Sequence, residues 1–313
     1  MHILLTGGCG YVGTVLTKRL LDEGHHVTVV DIMWFGNHLK PAPKLTVLHE
    51  DIRNTERIPM AGVDTIIHLA NVANDPCSEL DSKLSWEVNV LAAMGLVERA
   101  ISSGVMQFIY ASSGSVYGLK EEPKVTEELS LVPISDYNKT KMISERVLLS
   151  YRDKILIQIV RPATICGVSP RMRLDLSVNM LTMQALTKGL VTVFGGDQVR
   201  PNIHIQDIVE VYLHFIKMKD KIEGIFNAGF ENMSILEIAK KIKEFVPTEV
   251  SITPSNDPRS YRLNSDKLLA TGFHPKYHVV DAIKEIIKEY KAGNLKDEES
   301  YYNIMAMKKL IIT

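Results

Sequence analysis

Tyr137 and Lys141 lie four residues apart in a segment that reads as a helix, so both side chains leave one helix face a single turn apart. The pairing has a chemical use. A free phenol ionises at ~10, too high for an efficient base at neutral pH. A neighbouring ammonium favours phenolate and lowers that value. A phenol primed this way can take the proton of an alcohol.

A second constellation is TGGCGYVG, residues 6–13, with glycines at 7, 10 and 13 between an apolar run and an amphipathic segment. Small residues there permit a tight turn and let a diphosphate approach bare backbone. The following helix offers its unpaired N–H groups and positive dipole end. Gly7, Gly10, Tyr11, Val12 and Gly13 are therefore expected to line a dinucleotide site. Asp31 ends the next apolar run, about 20 residues further on, where a carboxylate accepts hydrogen bonds from ribose hydroxyls. Such a carboxylate repels the extra phosphate of NADP. Ile32 and Met33 follow it, so no arginine is at hand for that phosphate. The expected cofactor is NAD.

Positioning these groups requires alternating strands and helices. Strands are expected at 2–6, 26–31, 45–50, 65–69 and 106–112, and helices at 11–23 and 78–103. The helix carrying Tyr137 spans 136–150. This alternation predicts an α/β fold, a Rossmann-type doubly wound parallel sheet. From Cys166 the pattern changes. A loop with Pro170, Arg171 and Arg173 leads to a helix at 174–188 and a strand at 191–194. Helices at 208–217, 235–245 and 281–290 and a strand at 224–228 complete the reading. It gives a cofactor domain over 1–165 with a return segment at 203–229. A smaller C-terminal α/β substrate lobe covers 166–202 and 230–313. The ligand is expected between the lobes, at the carboxyl ends of the strands.

The chain has 313 residues, 45% hydrophobic and 23% charged, with net charge −1. No global field favours nucleic acid or an anionic membrane. Cys9, Cys77 and Cys166 form no metal-binding spacing and read as reduced thiols of a cytoplasmic protein; no metal is expected. Ile3–Leu5 runs straight into glycines, unlike an export signal. No apolar run approaches the ~20 residues that span a bilayer. The segment 301–313 reads as a docked terminus or subunit contact.

Over nearly its whole length the chain resembles the extended short-chain dehydrogenase/reductases of the nucleotide-sugar epimerase/dehydratase family. Beyond TGGCGYVG, the resemblance rests on Asp51-Ile52-Arg53, His68-Leu69-Ala70, Trp86-Glu87-Val88-Asn89-Val90, SSGSVYG at 112–118, YNKTK at 137–141 and RPATICG at 161–167. It implies that Asp51 and Ile52 meet adenine, that Leu69 and Ala70 pass beneath the cofactor, that Asn89 braces the sheet at the cofactor site, and that Pro162 lies beside the nicotinamide. Lys141 would hold the nicotinamide ribose. Tyr137 would take the proton of a sugar hydroxyl, C4 by this reading, with Ser113 bonded to the same oxygen.

Where the family's 4,6-dehydratases carry an Asp-Glu pair, this chain has Gly114 and Ser115. Where its fucose-synthase-like members carry a cysteine, it again has Ser115. Plain hydride transfer remains, by a 4-epimerase or a 4-dehydrogenase. Arg200, Asn179 and Arg259 are the implied contacts to the nucleotide diphosphate, with Arg262 a weaker match and Pro201 replacing the usual aspartate. Arg171 and Arg173 could touch sugar or nucleotide. A GDP-linked sugar, such as a heptose for a capsule or surface polysaccharide, is suggested, with UDP and dTDP open. A homodimer or homotetramer through 78–103 and 136–150 is implied. Two other readings stand beside this one, a dehydrogenase of a non-nucleotide alcohol and a non-catalytic NAD-binding protein. Titration of purified protein with both dinucleotides should show NAD binding more tightly than NADP; the reverse order would remove Asp31 from its assigned role.

Overall fold

His2–Thr6 forms the first strand, β1, and Ile3, Leu4 and Leu5 are all fully buried in it. Successive strand residues point to opposite faces, so full burial of all three means that both faces are covered. The computed structural model describes residues 1–254 and 260–312. After β1 come α1 (Tyr11–Asp22), β2 (His26–Asp31), β3 (Leu45–His49), β4 (Thr65–His68), α2 (Asp75–Leu80), α3 (Ser82–Trp86), α4 (Ala92–Ser102), β5 (Gln107–Ala111), α5 (Asp136–Leu149) and β6 (Leu156–Pro162). The chain continues through β7 (Thr164–Cys166), α6 (Ser177–Lys188), β8 (Leu190–Phe194), β9 (Val199–His204), α7 (Ile205–Lys217) and β10 (Gly224–Ala228). It ends with β11 (Glu231–Ser234), α8 (Ile235–Lys243), β12 (Glu249–Thr253), α9 (Asp266–Leu269), α10 (Val279–Lys291) and α11 (Asn303–Ile312).

Seven parallel strands make the main sheet, in the order β10-β6-β5-β4-β1-β2-β3. This is the Rossmann-type arrangement. The chain runs outward from β1 to β3 and restarts at β4 on the other side of β1, which opens a crevice at the carboxyl ends of the two strands. Strand alternation sorts the core. Ile3, Leu5, Ile67 and Ile109 join Leu16 and Leu20 of α1 and Ile208 and Phe215 of α7 on one face. Leu4, Ile66, Phe108 and Tyr110 join Leu96 and Ala100 of α4 and Leu148 of α5 on the other.

Two smaller sheets, β11-β9-β7 and β12-β8, stand apart. α6, α8 and α10 surround Val191 and Val193 of β8 with Val178, Ile238, Ile242 and Ile283. Strands β9, β11 and β12 have no clear signature in the sequence: Pro201 interrupts the first and the other two are largely polar and partly exposed. Among the described residues no helix is long and apolar enough to cross a membrane.

The helix expected over 78–103 is instead broken. Asn74, at φ +75°, accepts from Cys77 N to cap α2, and extended Asp81 accepts from Leu84 N to cap α3. Short polar side chains that satisfy free backbone amides restart helices in this way. A π-turn over Glu87–Leu91 then leads into α4.

A buried ion pair joins α5 to the sheet. Arg161 Nη2 lies 2.6 Å from Glu145 Oε2, with both side chains almost wholly buried. Arg161 also donates to Glu145 Oε1 at 2.9 Å and to the Tyr117 hydroxyl at 2.7 Å, and Ser112 Oγ donates to Glu145. Arg161→Met strands the carboxylate of Glu145 in the core, and such losses cost roughly 3–5 kcal/mol. Urea unfolding should show a drop of that size; a drop under about 1 kcal/mol, the scale of an exposed pair, would contradict this account.

Candidate active site

The crevice is a cleft of about 380 Å³ at the carboxyl ends of the central strands. The glycine turn forms its floor. Gly7 has φ +74°, and a Cβ there would stand 2.6 Å from Ala70 N; one on Gly13 would stand 2.2 Å from the Gly7 carbonyl oxygen. Only bare backbone fits. Gly10 caps α1 without a side-chain bond, and the first turn carries no acidic residue. The helix thus presents free amides and its positive end to the cleft, as a diphosphate requires. Asp31 accepts from Cys9 N at 2.9 Å and Met33 N at 2.7 Å, so it also holds the turn in shape. Burial raises its pKa, while those two amides oppose the rise. The residues present fit a dinucleotide.

Gly7, Gly10, Tyr11, Val12, Gly13, Asp31, Asp51, Ile52, Leu69, Ala70, Ser113, Tyr137, Lys141, Pro162 and Arg200 all line the cleft. Asn89, Asn179 and Arg262, which the sequence also singled out, do not. Asn89 projects from the π-turn into the core, where it accepts from Val72 N and donates to Thr140 Oγ1 on α5. It braces the site from behind and does not line the cleft. Asn179 is fully buried. It accepts from Gly167 N and donates to the Arg173 carbonyl and the Tyr11 hydroxyl. Its amide is spent on the protein, tying α6 to the loop above α1, so the expected phosphate contact is corrected. Arg259 lies outside the described residues, and Arg262 is exposed and is not among the residues that line the cleft.

Tyr137 enters from α5, whose N-cap Ser135 accepts from Asn138 N. Ser113 follows β5 and caps the short turn Gly114–Tyr117. Its hydroxyl lies 2.7 Å from that of Ser115, which in turn bonds Asn138. Lys141 Nζ donates to the Ala111 carbonyl at 2.7 Å and sits 6.0 Å from the Tyr137 ring centre.

The electrostatics correct the expectation of a phenol primed by Lys141 in the bare protein. Loss of water pushes Tyr137 up to about 12, with Asp75 adding to the rise and Arg173 and a hydrogen bond to Ser113 opposing it. Burial pushes Lys141 down to about 7, with Glu145 pulling the other way. Desolvation dominates both groups, and the ammonium is turned to a carbonyl of β5.

The second lobe also reaches the cleft. Arg173 binds Asp175 through two nitrogens at 2.9 Å each, and Asn74 donates to the same carboxylate at 3.0 Å. Arg171, Phe35 and Asn303 line the cleft beside Asp31. No sequence pattern pointed to Asn74, Phe35 or Asn303.

A family model described as "NAD dependent epimerase/dehydratase family" matches residues 3–229. A UDP-glucose 4-epimerase of Lactobacillus helveticus is 26% identical, over 90% of this chain and 94% of that protein. An uncharacterized UDP-glucose epimerase of Bacillus subtilis, YtcB, is 31% identical over 78% of this chain and 82% of its own length. Among solved structures, a UDP-glucuronic acid 4-epimerase from Bacillus cereus, in complex with UDP-glucuronic acid and NAD, superposes with a TM-score of 0.82. It is 25% identical, covering 93% of this chain and 99% of its own.

Lys141 gives the site a pH signature. Between about 7 and 10.5 the unfolded chain holds a proton on this residue that the folded protein has shed. Stability therefore rises with pH across that window. In nucleotide-free protein the melting temperature should climb from pH 7 to pH 9.5 relative to Lys141→Met. Parallel curves for the two proteins would show that the ammonium is not desolvated.

Proposed function

The chain belongs to the NAD dependent epimerase/dehydratase family, and from that premise we propose that it oxidises the C4 hydroxyl of a nucleotide-diphosphate sugar through Tyr137, Ser113 and Lys141. It is an NAD-dependent enzyme. Residues 1–165, with the return at 203–229, serve as the cofactor domain; 166–202 and 230–313 serve as the substrate lobe. The separate apolar core around β8 supports a second lobe, while Leu263, Leu268 and Phe273 pack in one core of the main sheet and Met307 in the other.

One observation carries the reading. Ser113 and Tyr137 line one cleft with Lys141, Pro162 and the glycine turn, while the positions after Ser113 hold Gly114 and Ser115. A sugar hydroxyl placed there meets one phenol and one serine hydroxyl. Tyr137 accepts its proton as the carbon gives up hydride, and Ser113 holds the oxygen in line. Bound NAD supplies the hydride acceptor and a positive ring that favours the phenolate. Gly114 and Ser115 provide no carboxyl group for proton transfer at C5 or C6, so loss of water does not follow. Arg200 on β9 reaches the cleft from the substrate side and suits the nucleotide diphosphate, since a guanidinium can bind phosphate oxygens bidentately.

The named relatives act on UDP-linked sugars. UDP-glucose and UDP-glucuronic acid therefore head the substrate panel, followed by dTDP- and GDP-linked sugars, a GDP-heptose among them. Mass and NMR analysis reads the outcome. Unchanged mass with inverted C4 identifies an epimerase, and loss of two hydrogens with accumulation of reduced cofactor identifies a dehydrogenase. Loss of water would overturn the reading from Gly114 and Ser115. Tyr137→Phe should lower kcat by about 10²–10⁴-fold with an unchanged melting temperature. Full activity in that variant would remove the phenol from the mechanism.

A further inference from the structure

Arg171 lies on the loop between β7 and α6, and its side chain is 2% exposed. Its guanidinium sits 4.1 Å above the Phe35 ring, and Nη2 donates to Asn303 Oδ1 at 2.5 Å. Both partners are neutral. Nε is buried with no hydrogen-bond partner among the described residues. Arg173 beside it has Asp175, whereas Arg171 forms no ion pair among the described residues. A desolvated guanidinium with a spare donor is costly unless an anion answers it. Burial and the neighbouring Arg173 push its pKa down to about 10, against the opposing pull of the more distant Asp175 and Asp31 carboxylates.

The anion it faces is set by the surroundings. Arg171 lines the same cleft as the glycine turn, Asp31 and Phe35, which is the cofactor end. Tyr137 and Ser113 mark the reacting end. The extra phosphate of NADP would meet the Asp31 carboxylate. The diphosphate of the dinucleotide has no such repulsion, and the open end of α1 already calls for it.

We propose that Arg171 binds the diphosphate of the bound dinucleotide, and that Asn303 of the C-terminal helix positions it. The proposal rests on the cofactor lying along the glycine turn. The C-terminal segment is well anchored for this purpose. Leu174 N donates to the Tyr301 carbonyl at 2.9 Å. Tyr301 and Tyr302 pack with Met172 and Leu174, while Ile304 and buried Met307 join the apolar cluster that contains Trp34, Phe35 and Cys77. The segment thus spans from the loop of Arg171 to the loop after β2, and its first helical residue holds the guanidinium.

The test is calorimetric binding to cofactor-stripped protein, with NAD, NADP, ADP, AMP and UDP as probes. Arg171→Met should weaken NAD by about 10–100-fold, the loss expected for a charge-assisted bidentate contact. It should also erase the preference for ADP over AMP and leave UDP binding unchanged. Asn303→Ala keeps the arginine and should weaken NAD by roughly 3–10-fold, the scale of one hydrogen bond; Arg171→Lys should recover part of the loss. Circular dichroism melting confirms that each variant is folded. Unchanged NAD affinity in folded Arg171→Met would overturn the proposal. So would a loss confined to NADP, or a loss of UDP binding with NAD retained, which would assign the arginine to other phosphates. Failure of the unmutated protein to bind NAD would instead sink the cofactor site itself.

Discussion

The Glu145–Arg161 pair is the constraint around which the cleft is assembled. Arg161 belongs to β6, one residue before Pro162 on the cleft wall, and Glu145 to α5, one turn after Lys141. Their bidentate contact sets the depth of α5 against the sheet. Ser112 bonds the same carboxylate, and Tyr117 bonds the same guanidinium and passes the contact to Asn227 on β10. Four segments distant in sequence therefore share one buried network. Satisfying every polar group at once admits a single arrangement. That arrangement fixes Ser113, Tyr137, Lys141 and Pro162 relative to each other, and the proposed chemistry depends on it.

The electrostatics of the cleft point in one direction. The phenol is held high by lost solvation, Lys141 is held low by the same cause, and Arg171 is buried with no ion pair among the described residues, Asp175 and Asp31 acting on it only at longer range. Each of these costs is relieved by a ligand that brings the missing charge. A diphosphate answers the guanidinium and the open amides of α1; an oxidised nicotinamide answers the phenolate. Part of the affinity for such a ligand would come from these desolvated groups.

The segments after β7 meet α1 and the loop after β4 over the cleft through polar contacts. Asn179 holds Tyr11 and the loop at Gly167, Asn74 holds Asp175, and Thr14 on α1 lies 2.9 Å from Ser169. These bonds are short in space and long in sequence, so they give the loop 167–176 a defined height above the glycine turn. The C-terminal segment adds a second strap across the same gap.

Much of the cofactor half was legible in the sequence. The β1-α1-β2 unit, the glycines at 7, 10 and 13, and the shared face of Tyr137 and Lys141 depend on local backbone geometry, which spacing reports directly. Six strands of the main sheet follow from buried runs alternating with amphipathic ones; β6 between β5 and β10 was not read from the sequence, and β9 and β11 of the smaller sheet left no such trace. Other properties waited for the folded chain. Asn89 and Asn179 are polar residues in family-like positions, yet the fold turns both inward to satisfy backbone groups. Asp81 breaks a helix whose apolar periodicity runs on. The proton affinities of Tyr137 and Lys141, and the meeting of Arg171 with Phe35 and Asn303, arise from desolvation and from contacts over 130 residues of separation in the last case. Spacing along a chain encodes which face a residue shares with its near neighbours. Burial and charge are set by whatever packs from elsewhere, and only the tertiary structure decides that.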